Sequence, residues 1–126
     1  MPDLQFTLLV TRQPWLQQNR DATIRFLRAV IRGNRWLYDP ANRAEAETIL
    51  MQETGADSDT AAALYELYLR EVKVYDPNAE PQLSHIQGNI DSLIEVQAME
   101  PPGPRPEQYL DLGPLREAQA TLATAR

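Results

Sequence analysis

The chain has 126 residues, 43% of them hydrophobic and 24% charged, which is enough to bury a core and too apolar for a disordered segment. Its formal net charge of −6 argues against a dedicated nucleic-acid binder. The absence of Cys removes any disulfide framework or thiolate metal site. Five Gly among many Ala, Leu, Glu, Gln and Arg favour helix over sheet. No run is long enough to cross a bilayer, so no membrane insertion is expected. No basic segment precedes an apolar one as in an export signal, which would leave the product in the cytoplasm were Met1 the start of the gene. Charge is split along the chain: seven Arg face three Asp up to Arg43, and five Lys and Arg face fifteen Asp and Glu beyond it. Such a division predicts that the basic part pairs with the acidic part or with a partner.

Leu4, Phe6, Leu8 and Val10 alternate over Leu4–Val10, the period of a strand. The chain offers no second strand to pair with it, so it either pairs across a dimer or is drawn into a helix. Pro14 suits the first turn of a short helix, where its missing N–H costs nothing. Asn19 or Asp21 can restart the chain into a long amphipathic helix. Ile24, Leu27, Val30, Ile31 and Leu37 share one face of it, and Arg25, Arg28, Arg32 and Arg35 form a neighbouring stripe. The stripe reads as solvated or internally paired rather than anion-binding; the anionic alternative predicts steep salt dependence. Gly33, inside the helix, is expected where a neighbouring backbone packs closely. Asp39-Pro40 stops the helix, and Asn42 with Glu45 is a weak capping box for the next.

That next helix runs from Arg43 to Thr54 and ends at Gly55, a left-handed cap. Asp57 or Ser58 caps a helix through Ala61, Leu64, Tyr65, Tyr68, Leu69 and Val72. Tyr65, Tyr68 and Tyr75 could stack sugars or bases, but read better as half-buried residues with wet hydroxyls. Asp76-Pro77-Asn78 and Glu80-Pro81 break the chain. Ser84 can cap a helix carrying Ile86, Ile90, Leu93, Ile94 and Val96. The stretch 100–108 reads as an extended Pro-rich linker. Beyond Tyr109-Leu110-Asp111-Leu112, Pro114 opens a last helix with Leu115, Ala118 and Leu122. The sum is a mainly α fold, a compact bundle of five to six helices with at most one N-terminal strand, forming a single domain over 1–126.

Chemistry is not written in this pattern. The five Gly fall into no phosphate-loop or dinucleotide spacing, and there is no Gly-x-Ser-x-Gly elbow. His85 is the only histidine and has no nucleophile to serve and no carboxylate at ligand spacing. Neither an enzyme, a metal nor a cofactor is expected, and no catalytic or metal-binding residue is assigned.

The landmarks nevertheless fall in a recognisable order. Trp15-Leu16-x-x-Asn19, Arg25-Phe26-Leu27-Arg28-Ala29, Trp36-Leu37, Asp39-Pro40-Ala41-Asn42-Arg43, Ile49-Leu50, Thr54-Gly55 and Tyr109-Leu110-Asp111 together resemble the C-terminal region of the periplasmic solute-binding proteins of ABC importers for nitrate, sulfonates such as taurine, and thiamine-precursor pyrimidines. The resemblance runs from about Phe6 to Gln119 and covers only the final third of such a protein, the helical part of a type II periplasmic binding protein. It implies a periplasmic solute-binding protein in part, with an ABC permease and an N-terminal α/β lobe as partners and no solute bound by this part alone. Ligand-binding residues stay unassigned, because most cleft residues of the family lie in the lobe this sequence does not contain. Leu4–Val10 would match the strand that returns to that lobe, Ile24, Leu27 and Ile31 would cover it, and Trp36, Tyr38 and Tyr109 would be packing positions. A stand-alone helical module that forms a homodimer is the alternative.

Overall fold

The computed structural model describes residues 4, 5 and 7–124, and these are mainly helical. Among them are six α-helices and no strand: α1 (Gln13–Gln18), α2 (Arg20–Tyr38), α3 (Arg43–Thr54), α4 (Ser58–Tyr65), α5 (Leu83–Glu95) and α6 (Gly113–Thr124). Short 3-10 turns at Pro40–Asn42 and Pro106–Tyr109 precede α3 and α6, and α4 runs directly into a π-helical stretch, Glu66–Glu71. Among the described residues no helix is long and apolar enough to cross a membrane. The span read as one helical domain divides into two compact units, one of residues up to Ile24 together with those from Glu80, the other of Arg25–Ala79.

In the Arg25–Ala79 unit α3 packs on α4. Ala46, Tyr65 and Leu69 are buried together, and Trp36, Leu37 and Tyr38 from the end of α2 pack against them. Ala61, Tyr65 and Leu69 are all buried although the last lies in the π-helical stretch, so the periodic apolar face holds across the change of helix type. Tyr65 is more deeply set than its sequence suggests: its hydroxyl donates to the Leu37 carbonyl at 3.0 Å instead of to water. Asn42 also departs from expectation. Its side chain makes no cap for α3 and instead donates to the Trp36 carbonyl at 3.0 Å, closing the end of α2. Gly55 does end α3, at φ +73° with its N–H on the Met51 carbonyl, a conformation that costs glycine nothing. Asp57, rather than Ser58, caps α4 by accepting from the Thr60 N–H at 2.8 Å.

In the other unit α5 buries Ile86 and Ile90, α6 buries Pro114, Leu115 and Ala118, and Pro106 is buried in the 3-10 turn before α6. Gln82 stands at the N-cap of α5 and Ser84 lies within the first turn, without the capping role expected of it. The Pro-rich stretch 100–108 is not an extended linker. It turns back at Glu100–Gly103, with the Gly103 N–H on the Glu100 carbonyl at 3.1 Å, and the following 3-10 turn packs on α5. Gly103 sits at φ +68° so close to α5 that a Cβ there would meet the Ile90 Cγ2 at 2.9 Å and the Ile94 Cδ1 at 3.1 Å. Ion pairs Arg20–Glu117 and Arg116–Glu80 join residues far apart in the chain.

Candidate interaction surface

The sequence leaves two stretches whose chemistry faces outward, the Arg stripe of α2 and the apolar segment before α1. On α2 the apolar positions turn inward: Ile31 is fully buried and Ile24 and Leu27 are half-buried. Arg25, Arg32 and Arg35 are exposed and Arg28 half-buried. Among the described residues no ion pair engages any of the four, while Arg35 donates to the Asn78 amide oxygen at 2.7 Å. The pairing of basic with acidic parts occurs through Arg20 and Arg43 instead. Arg43 bonds Glu47 at 2.7 Å, pairs with Glu66 and lies 5.1 Å from the Tyr65 ring centroid; the Glu47 hydrogen bond comes first among the causes that hold its guanidinium pKa above the ordinary value. Of the stripe, Arg25 and Arg32 stand exposed without an ion pair among the described residues. Gly33 within it has open space where a Cβ would stand, so no neighbouring backbone packs there.

The tyrosines do not form a ladder. Tyr65 is buried, Tyr68 and Tyr75 are exposed, and the Tyr75 carbonyl accepts from the Tyr38 hydroxyl. Burial pushes the Tyr38 phenol up from its ordinary pKa. Trp36 and Tyr38 are packing residues as expected, but Tyr109 is 66% exposed and packs little. His85 is half-buried, and its carbonyl accepts from the Gln5 N–H at 3.4 Å.

That last bond belongs to the feature the sequence did not disclose. The segment from Leu4 to Val10 forms no strand among its described residues, Phe6 lying outside them. Its backbone is held at Gln5 by a side chain. The Asn89 carboxamide accepts from the Gln5 N–H at 3.2 Å and donates to the Gln5 carbonyl at 2.9 Å, the two bonds a neighbouring strand would supply. The Gln5 side chain in turn accepts from the Gln82 N–H at 3.2 Å and donates to the Thr7 carbonyl at 3.0 Å. Asn89 falls between Ile86 and Ile90 on the apolar face of α5, and a carboxamide in that position is the only sequence signal of the clasp.

Beyond the clasp the chain is open. Leu8, Leu9 and Val10 are exposed, Leu9 by 57% and Val10 by 87%, and Trp15 in α1 by 49%. No hydrogen bond among the described residues uses the backbone of Leu8, Leu9, Val10 or Thr11. Three consecutive large apolar side chains on an unpaired backbone form a surface suited to adding to a sheet, and the clasp holds one end of it in place. Among the described residues no group of His, Cys, Asp or Glu is placed to hold a metal ion. Comparison with protein-family models, with curated proteins and with solved structures gives no match.

Proposed function

We propose that this chain is the helical C-terminal part of a solute-binding protein of the kind that serves ABC importers of small anions or sulfonates, and that it acts by docking rather than by holding solute itself. The observation that carries the reading is the open segment Leu8–Thr11, apolar, exposed and without backbone partners among the described residues. In the family the sequence resembles, this is where the chain would return as a strand to the α/β lobe. The order of the landmarks from Trp15 to Tyr109 supports the same assignment, with the periplasm as its place and an ABC permease as the partner of the assembled protein.

Titration calorimetry with nitrate, taurine and alkanesulfonates tests it. The chain alone is expected to give no heat, and its mixture with a separate α/β lobe of such a protein more heat than the lobe alone. Solute binding by the chain alone, or a lobe whose affinity it leaves unchanged, would overturn the proposal.

A second reading, a self-assembling helical module, is favoured by the same open segment in another way, since Leu8, Leu9 and Val10 are consecutive, exposed and on backbone without partners among the described residues, an open edge that a second copy can meet. Light scattering across a concentration series decides whether the chain associates with itself.

A further inference from the structure

The self-assembly reading can be taken to a specific geometry. We propose that Thr7–Thr11 pairs antiparallel with the same segment of a second copy, about a two-fold axis through Leu9. Two observations bear on it, one setting the axis and the other bounding the ladder.

The first is the order of residues. Thr7-Leu8-Leu9-Val10-Thr11 reads almost the same in both directions, so an antiparallel pair centred on Leu9 sets Thr7 opposite Thr11, Leu8 opposite Val10 and Leu9 opposite Leu9. Thr–Thr and aliphatic pairs are among the favourable cross-strand neighbours. A two-fold contact needs such self-complementarity, because each residue's partner must also be that partner's partner. Sliding the pair by one residue sets Thr against aliphatic side chains and turns each strand's faces over.

The second is the window the structure leaves. On one side Gln5 is already bonded through both its N–H and its carbonyl to Asn89, and its side chain donates to the Thr7 carbonyl. On the other side α1 begins at Gln13, and the Arg12 carbonyl accepts from the Leu16 N–H at 3.0 Å. The backbone without partners among the described residues is Leu8–Thr11. The window bounds the ladder, and within it the near-palindrome selects Leu9.

The pairing is weak by area. A ribbon of this length buries on the order of a few hundred Å² per copy, below the ~800 Å² per partner of a standard interface, and a two-stranded ribbon alone is marginal in water. The expected behaviour is a concentration-dependent monomer–dimer equilibrium, not an obligate dimer.

Because the chain has no Cys, introduced thiols report the register without background. Residues directly opposite in an antiparallel pair have Cα atoms ~4.5–5.5 Å apart, within the reach of a disulfide. In this register Leu9 faces its own copy, whereas two copies of Val10 stand on the order of 8 Å apart, beyond that reach. The experiment is oxidation of Leu9→Cys and Val10→Cys variants, beside light scattering of the unmodified chain; both sites are exposed, and circular dichroism confirms that the variants keep the helical content. The expected result is association on concentration, at least tenfold faster cross-linking of Leu9→Cys than of Val10→Cys, and cross-linking of the doubly substituted Leu8→Cys, Val10→Cys chain. Association with equal cross-linking at both sites would overturn the Leu9 register and leave self-assembly standing. A chain monomeric at all concentrations, with Leu9→Cys staying reduced, would overturn both. A monomer that binds a separate α/β lobe through this segment would likewise overturn the second copy as its occupant.

Discussion

Three glycines provide one substitution with three different outcomes. Gly33 lies inside α2 with open space at its Cβ position and an ordinary helical φ. Alanine there should stabilise by about 0.5–1 kcal/mol, the helix penalty that glycine carries. Gly55 also has open space but sits at φ +73°. Alanine there meets the left-handed penalty of roughly 1–2 kcal/mol, offset by about 0.4–1 kcal/mol because alanine stiffens the unfolded chain. Gly103 combines φ +68° with a Cβ position 2.9 Å from Ile90 Cγ2 and 3.1 Å from Ile94 Cδ1. Ile90 is buried and cannot swing aside, so an overpacking cost of about 1–3 kcal/mol adds to the backbone term. The net for Gly103→Ala is about 1.5–4 kcal/mol of destabilisation, a fall of roughly 1–2 M in urea midpoint at a slope near 2 kcal/mol/M. Urea titration by circular dichroism, with hydrogen exchange to assign each transition to its unit, measures all three. Gly33→Ala should rise, Gly55→Ala fall slightly, and Gly103→Ala fall most, in the unit that holds α5. Equal effects at Gly55 and Gly103 would refute the packing of the Pro-rich turn on α5, and a destabilising Gly33→Ala would refute the open face of α2.

The remaining predictions concern single contacts. Asn89→Ala removes both bonds of the clasp and should cost about 1–3 kcal/mol, read also as loss of exchange protection at the Gln5 amide; unchanged protection would show that the clasp does not hold the segment. Asp57 caps α4 and its carboxyl is held below the ordinary value, first by the Thr60 backbone N–H. Because the folded pKa lies below the unfolded one, the cap contributes fully above pH ~4 and is lost as pH falls through the folded pKa. Asp57→Ala should therefore lower the melting temperature at neutral pH and flatten its acid-side decline. Tyr65→Phe leaves the Leu37 carbonyl without its donor and should cost about 1–2 kcal/mol by urea titration. Replacing Arg25, Arg28 and Arg32 by Gln should change stability by no more than about 0.5 kcal/mol each, and heparin retention of the unmodified chain should respond little to salt.

The helices were legible because their causes are local. The three-and-four spacing of α2, the proline before α3, Gly55 at its end, Asp57 before α4 and Pro114 in α6 each act within a turn or two of themselves. What was not legible depends on residues distant in the chain. Asn42 fits a cap equally well whether its amide turns forward to α3 or back to α2, and only the position of the Trp36 carbonyl decides. The 100–108 stretch has an extended composition, yet Gly103 can fold onto Ile90 and Ile94 because it lacks a Cβ, and that contact is invisible until α5 is in place. The π-helical stretch at Glu66–Glu71 leaves no mark on the apolar pattern, since Tyr65 and Leu69 are buried with or without it.

The strand reading of Leu4–Val10 shows most clearly what alternation in a sequence does and does not say. Period-two patterning reports that a segment is suited to a ladder; it does not say who supplies the other side. Here one end of the ladder is met by a side chain. The Asn89 carboxamide has an acceptor and a donor at the spacing of a peptide group, so it satisfies the Gln5 backbone as a strand would while staying on a helix. A carboxamide can serve only one residue, however, and the alternation continues to Val10. From Leu8 onward the same preference is left unmet within the described residues, and the side chains that would be covered by pairing stand in water. An unmet preference next to a satisfied one is a boundary, and the boundary sets where any partner must begin. A sheet of an α/β lobe or a second copy of this chain, as proposed above, would meet the segment after the clasp and before α1, which is why substitutions at Leu9 are expected to separate the two while substitutions at Asn89 would weaken both.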